Sequence, residues 1–305
     1  MKRFARAFGF SSLLAVAGPA ASAASTLTVC LNENAPPYSS RAAGGFDLAV
    51  ATAVAKKLDR KLDVLWFESK LDEDSSATLE ANALLSDGKC QLVAGYPLTE
   101  DGLGKPGAPT ARLPDFDGFK AADRRRRIPL GTLQNSTPYH FAALTIVVGG
   151  AAASRTVASL QDLEGVKIGV EGGTLSDTIL MTHAGGKLID DITHLVPGRG
   201  QLWPSFERGD FDAALLPLHR FDAYRAAHPG TKLKASGYLF PVGFNIGFVG
   251  LSSDDALIAE VDAAIAPMLA SGEIAALAPE AGMTYLPPRA PDVQKHLLLG
   301  DLVTR

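Results

Sequence analysis

The chain has 305 residues, 47% of them hydrophobic and 20% charged, with a formal net charge of −4. That is the composition of a folded globular protein longer than one average core needs, and it excludes a disordered chain. The one basic run, Arg124 to Arg127, is short and sits among Gly, Pro and Asp, so the charge pattern carries no footprint for nucleic acid.

The N-terminus carries the most specific short signal. Lys2, Arg3 and Arg6 precede an apolar stretch, Phe8 to Ala17, and then Ala21-Ser22-Ala23. A positive flank, a short apolar segment and small residues make up a secretory signal peptide, so residues 1–23 are predicted to be removed on export to the periplasm. The apolar stretch is too short to span a bilayer. No later stretch reaches ~18 apolar residues free of charge, so no membrane span is expected in the mature chain.

The mature chain opens with a predicted strand, Leu27 to Leu31. A helix follows over about Phe46 to Leu58, where Phe46, Val50, Val54 and Leu58 recur every four residues and mark a buried face. Lys61 to Phe67 reads as a strand, about Ser75 to Ser86 as a helix ended by Asp87-Gly88, and Gln91 to Gly95 as a third strand. This alternation predicts a parallel sheet covered by helices. The two cysteines, Cys30 and Cys90, fall near the end of one strand and the start of another. An oxidising compartment favours a disulfide between them. Parallel neighbouring strands could instead hold their Cα atoms beyond the ~7 Å limit, so a bonded pair and two buried thiols both stand.

Glu100 to Pro138 is rich in Gly, Pro, Asp and Arg and has weak periodicity, which predicts a flap or an insertion wrapped over the surface. Ala142 to Val148 is a predicted strand. Ser159 to Asp162 starts a short helix capped by the serine. A second alternating run follows: strand Val166 to Val170, helix from Thr174 to about His183, strand Ile192 to Val196, helix Gln201 to Arg208, strand Phe211 to Leu216 and helix Leu218 to Ala227. Gly243 to Leu251 is a long apolar strand. Helices over about Asp254 to Ala270 and Gly272 to Ala278 precede a Pro-rich tail. The fold class is therefore α/β, with two parallel or mixed sheets and flanking helices. If the extended segments beside the second run are crossovers, one lobe is 26–145 plus 245–286, a second lobe is 146–244, and the tail is 287–305. Two strands would form the hinge, and a ligand would bind in the cleft between the lobes.

Several stretches, in order, resemble the type 2 periplasmic solute-binding proteins of the polar amino-acid transporter family (family 3). Gly45-Phe46-Asp47-Leu48-Ala49 is like its "GFDxDLA" helix start, and Asp87 to Val93 like its "L..GKxD" strand entry. Thr137-Pro138-Tyr139 resembles "S.PY" before the first hinge strand. Ser159 to Thr174 resembles "sl.DLkGkkVgv.aGT", and Gly209 to Ala213 resembles "G.vDA". The resemblance implies a two-lobed, monomeric protein that captures a small polar or anionic solute and hands it to an ABC transporter permease by hinge closure. It implies no cofactor, no metal and no enzymatic activity.

The ligand-binding candidates are Tyr38, Gly95, Tyr96, Thr99, Tyr139, Gly173, Thr174, Ser176 and Pro217. Gly173-Thr174 before a helix exposes free N–H groups, and Thr174 and Ser176 add hydroxyls. That arrangement suits an anionic group, with plain helix capping as the other reading. Tyr38 and Tyr139 follow prolines in loops expected to face the cleft, where they sandwich a flat ligand or simply pack the loop. Gly95 to Thr99 falls where the family lines its pocket. Asp47 reads as a structural helix-start residue.

Two departures bear on the ligand. The family's carboxylate-gripping arginine has no counterpart in register, leaving Arg112 and Arg124 to Arg127 as candidates. Its ammonium-holding acid is replaced by Pro217, and a buried ammonium without an acidic partner is disfavoured. An ordinary α-amino acid is therefore not expected. Both cysteine positions and Leu216-Pro217-Leu218 also resemble binding-protein-like accessory proteins of PQQ-dependent (quinoprotein) alcohol dehydrogenases, which implies a periplasmic dehydrogenase as an alternative partner. Catalytic signals are thin. The six histidines form no HExxH, and no G-x-S-x-G is present. A dehydratase on the same fold would draw on Glu171, Asp177 or His219 as general acid or base.

Overall fold

Residues 25–69 and 76–296 are described by a computed structural model. The predicted signal peptide and residues 297–305 lie outside the described residues.

The first half runs β1 (Thr26–Asn32), β2 (Asn34–Ala35), β3 (Ser39–Ser40), α1 (Phe46–Lys57), β4 (Lys61–Glu68), α2 (Ala77–Ser86) and β5 (Leu92–Pro97). The four-residue spacing in α1 does what it predicts: Phe46, Val50 and Val54 are fully buried against β1 and β5. The Ser76 hydroxyl caps α2 by accepting from the Leu79 N–H, and Gly88 leaves the helix at φ +66°. β1 runs parallel to both β4 and β5, with Cys30 opposite Leu65 and Val93.

The stretch 100–138 forms β6 (Thr110–Arg112), β7 (Asp115–Phe116), α3 (Ala121–Arg125), β8 (Arg127–Pro129) and β9 (Leu133–Asn135). β6 and β8 pair with each other, β7 adds to β4, and β9 adds to a later strand. Ala111, Leu113, Ile128 and Leu133 are buried in the cluster that also holds α2, so this is an insertion wrapped over the surface.

The chain then runs β10 (His140–Val148), β11 (Ile168–Glu171), α4 (Leu175–Thr182), β12 (Ile192–Leu195), α5 (Leu202–Arg208), β13 (Ala213–Pro217), α6 (Leu218–Ala227), β14 (Lys234–Leu251), α7 (Asp255–Ala270) and α8 (Glu273–Leu277). Before β11, the Asp162 carboxylate accepts from the Ala158 and Ser159 N–H groups and from the Ser159 hydroxyl. Ser159 and Asp162 form a capping box at that turn.

The principal sheet has the order β12-β11-β13-β10-β14-β5-β1-β4-β7, with β9 also on β14. β14 spans 18 residues. Its first part pairs with β10, and its second part with β5 and β9. Each half of the sheet is covered on both faces. In the first half, Leu27, Phe46, Phe248 and Val261 pack on one face and Leu84, Leu98 and Val249 on the other. In the second half the two faces bury Ile146, Ile168 and Leu180, and Phe206, Phe211 and Phe221. Two lobes with separate cores are thus joined through β10 and β14.

Cys30 and Cys90 form a disulfide with Cα atoms 5.7 Å apart, which resolves the open alternatives. Adjacent strands lie about 4.8 Å apart, and Cys90 sits beside β1 as the chain enters β5. The C-terminal segment returns across the hinge. The Phe141 N–H donates to the Leu286 carbonyl, and the Gln294 N–H donates to Leu98. The buried Asn245 amide donates to the carbonyls of Arg289 (2.7 Å), Asp292 (3.0 Å) and Pro291 (3.2 Å) and accepts from the Arg289 N–H.

Candidate functional site

Two strands of the second lobe end beside each other and each leads into a helix, β11 into α4 and β13 into α6. Strand ends of this kind are where open α/β sheets bind ligands. A cavity of about 240 Å³ lies there, lined by Glu171, Thr174, Ser176, Pro217, Arg220 and Phe244 among others. Arg220 reaches Glu171 at 2.5 Å, and the arginine side chain keeps 40% of its surface exposed against 11% for the glutamate. The Ser176 hydroxyl makes no hydrogen bond among the described residues. The Thr174 hydroxyl is engaged: it donates to the Glu171 carbonyl (2.8 Å) and accepts from the Asp177 N–H (3.3 Å) as the cap of α4. The Gly173 N–H donates to the Asp177 carboxylate (2.7 Å), whose other oxygen lies 2.9 Å from His194. The helix therefore answers part of its own N-terminal field with its own acid.

Across the cleft, β1, β4 and β5 end around a cavity of about 120 Å³ lined by Tyr38, Asp47, Ser69, Gly95 and Tyr96. Asp47 is fully buried, and burial pushes its carboxyl up to about 7, partly offset by the hydrogen bond from Tyr139. The donors run in series. The Gly95 N–H donates to the Tyr139 oxygen (2.8 Å), and the Tyr139 hydroxyl donates to Asp47 (2.8 Å). Gly95 has φ +71°, and a Cβ there would overlap the Asp47 carboxylate, so only glycine lets the strand end approach this closely. The buried hydroxyls of Tyr38 and Ser69 have no hydrogen-bond partner among the described residues. Burial foremost, then the Asp47 and Asp222 charges, holds the Tyr38 phenol well above its usual range.

The lobes touch beside these cavities. The Tyr38 ring lies 4.9 Å from the His219 imidazole of α6 and 5.7 Å from His140. Burial holds both histidines down at about 4, so both are neutral near pH 7. Asp222, one turn along α6 from His219, bonds Thr284 of the other lobe.

The structure thus gathers Tyr38, Gly95 and Tyr96 on one side and Thr174, Ser176 and Pro217 on the other. Three expected residues lie elsewhere. Tyr139 is 0% exposed, packed between Phe46 and Phe248, with its hydroxyl occupied. It lies in the loop just before β10, which is buried along its whole length, and is a core residue instead of a cleft aromatic. Thr99 bridges to Gln294 of the C-terminal segment and lines neither cavity. Gly173 forms the turn before α4 but likewise lines neither. Tyr96 keeps its place, its hydroxyl donating to the Gly102 carbonyl.

The candidate arginines of the insertion are also displaced. Arg112 and Arg127 face each other in the β6–β8 ladder, and Arg126 pairs with Asp87. Arg220 instead reaches the cleft. Its position two residues into a helix that follows a strand end was the available signal. Among the dehydratase candidates, Glu171 is paired with Arg220, Asp177 with His194, and His219 is packed on Tyr38. No group of His, Cys, Asp or Glu suited to a metal occurs among the described residues, nor any helix long and apolar enough to cross a membrane.

Solved structures share this architecture. The unliganded, open L-cystine solute receptor of Neisseria gonorrhoeae matches with a TM-score of 0.60 at 19% identity, over 87% of this chain and 96% of that one. The open substrate-binding domain 2 of Lactococcus lactis GlnP matches with a TM-score of 0.59 at 17% identity, over 87% and 98%. The chain has the two-lobed periplasmic-binding-protein fold. A second substrate-binding domain of a putative amino acid ABC transporter from Streptococcus pneumoniae gives a TM-score of 0.58 at 18% identity, over 84% of this chain and 99% of that one. At these identities the likeness establishes the fold. No family model matches the chain, and no curated protein does.

Proposed function

We propose that the protein is an exported, periplasmic solute-binding protein that captures a small polar or anionic solute between its lobes. It delivers the solute to an ABC transporter as a monomer. One lobe is 26–145 plus 245–286 and the other 146–244, and the hinge is the β10–β14 pair. The observation that carries this reading is the pair of facing cavities at strand ends of the two lobes, one lined by Tyr38, Gly95 and Tyr96 and the other by Ser176, Pro217 and Arg220. Arg220 and the Ser176 hydroxyl offer donors to an anionic group, and Tyr38 offers an aromatic face. Contacts to both lobes favour the closed state, which the transporter reads as surface shape.

Native followed by denaturing mass spectrometry on the purified periplasmic protein tests this. A co-purified small molecule, or a thermal shift with an organic acid that Arg220→Gln abolishes, supports it. No retained mass and no shift across an amino-acid and organic-acid panel would overturn it.

One observation favours a second reading, in which the lobes serve a periplasmic quinoprotein dehydrogenase and the cleft takes no solute. The Gly173 N–H and the Thr174 hydroxyl are already bonded within the protein, which leaves α4 fewer donors for a ligand. Co-purification with a dehydrogenase subunit, together with an unresponsive cleft, is the result that would select it.

A further inference from the structure

A cavity of about 420 Å³ lies between the hinge stretch of β14 and the returning C-terminal segment, and it shares Phe244 with the cavity at the ends of β11 and β13. Its apolar wall includes Phe141, Val242, Phe244 and Pro291, and its charged groups are Arg289, Lys295 and His296. No acidic residue lines it among the described residues.

The three cations are not equivalent. His296 is matched by Asp101 at 2.6 Å. Arg289 and Lys295 make no ion pair among the described residues. The Arg289 guanidinium lies over the Phe141 ring, 4.3 Å from its centroid. That contact orients the planar group through its face and leaves its edge of N–H donors free for an acceptor. The backbone beneath is fixed on both sides, since Asn245 accepts from the Arg289 N–H and donates to the Arg289 carbonyl. Gln294, next to Lys295, is fixed through its N–H to Leu98 and its carbonyl to Glu100. The Arg289 guanidinium is therefore oriented beside aromatic surface, and the backbone that carries the exposed Lys295 is anchored next to it.

We propose that this hinge cavity is a second binding site, for a small organic carboxylate with an apolar body. Arg289 grips the carboxylate with two parallel N–H donors, Lys295 adds a point charge, and the body lies against Phe141 and Phe244. The volume is in the range of small-molecule sites. The two cavities share Phe244 but not their cations, so variants of Arg289 and of Arg220 separate this site from the interlobe solute reading.

The test is titration of the full mature protein with benzoate, and separately with inorganic phosphate, by calorimetry at fixed ionic strength. Wild type is compared with Arg289→Gln, Lys295→Gln and Arg220→Gln. Among the described residues the Arg289 side chain makes no ion pair and stacks on the Phe141 ring, and the exposed Lys295 provides a second variant. Benzoate is expected to saturate one site, to weaken at least about tenfold in Arg289→Gln and to be unchanged in Arg220→Gln. Lys295→Gln should weaken it less, and phosphate should bind more weakly than benzoate. Absence of saturable benzoate binding overturns the proposal. So does binding that survives Arg289→Gln and is lost in Arg220→Gln, which would place the anion in the interlobe cleft. Phosphate binding as tightly as benzoate overturns the apolar-body requirement.

Discussion

The Asp222 carboxylate on α6 accepts from both the backbone N–H (2.8 Å) and the hydroxyl (3.0 Å) of Thr284. These residues belong to different lobes, and the contact lies beside Tyr38 and His219. Thr284→Val removes the hydroxyl bond and keeps the backbone one, so it should weaken the contact by about 1 kcal/mol. Spin-label distance measurements between the lobes should then show a broader distribution. An unchanged distribution would remove this bond from control of the hinge.

Asp47 gives stability a pH dependence of defined sign. Its folded pKa is raised from 3.8 to about 7, so the folded state holds a proton that the unfolded state has released. The stabilising effect of that proton is complete below about pH 3.8 and is lost as pH rises through 7. Asp47→Asn should abolish this component, so the difference between the denaturant midpoints of variant and wild type should change steadily between about pH 4 and 7 and level off above pH 7. Parallel curves from pH 5 to 9 would contradict the buried acid.

His140 and His219 act in the opposite direction. Their folded pKa values lie near 4, below the ordinary 6.5, so the unfolded state takes up protons first. Their contribution is present above pH 6.5 and is lost as pH falls toward 4. His219→Phe keeps a ring against Tyr38 and should flatten the acid limb of the stability curve. An unaltered acid limb would mean that His219 does not remain neutral in the folded protein.

Thr174 and Ser176 should separate cleanly. Thr174→Val removes the α4 cap and should lower stability by about 1 kcal/mol. Ser176→Ala leaves the cap intact and should weaken an identified interlobe solute by about 1 kcal/mol, read by calorimetry. Equal affinities in Ser176→Ala and wild type would take that hydroxyl out of the site.

The disulfide closes a separation of 60 residues. On the chain-entropy model that constraint is worth about 4 kcal/mol. Replacing Cys30 and Cys90 together by alanine should lower unfolding stability by an amount of this order, measured by denaturant titration. A loss below about 1 kcal/mol would mean that the unfolded chain is already constrained there.

Helices such as α1 and α6 were legible because a helix with one buried face writes a period into the chain. The extent of β14 was not. Gly237, Pro241 and Gly243 interrupt the apolar pattern of its first part, and only pairing with β10 makes the strand continuous. In the insertion, strands of two or three residues are too short to show any period. Tyr139 does lie in a loop, as a Pro-Tyr pair reads, but its ring is buried against Phe46 and Phe248 and does not face the cleft, which no local pattern shows. Arg289 gave no signal at all. It sits in a Pro-rich segment anchored through bonds to Phe141, Leu98, Glu100 and Asn245, all distant in the chain.

β14 also constrains how the molecule can move. Because one uninterrupted strand belongs to both halves of the sheet, no slack loop exists there to absorb a rotation. Any change of interlobe angle must appear as altered twist and slip where the β10–β14 register already shifts, between Ala143 and Val147. Gly243 stands at the edge of that stretch, and any side chain there would strike the Ala142 carbonyl and the Phe141 ring. The joint is thus a torsion element woven into the sheet, packed so closely at Gly243 that the position has no room for a side chain.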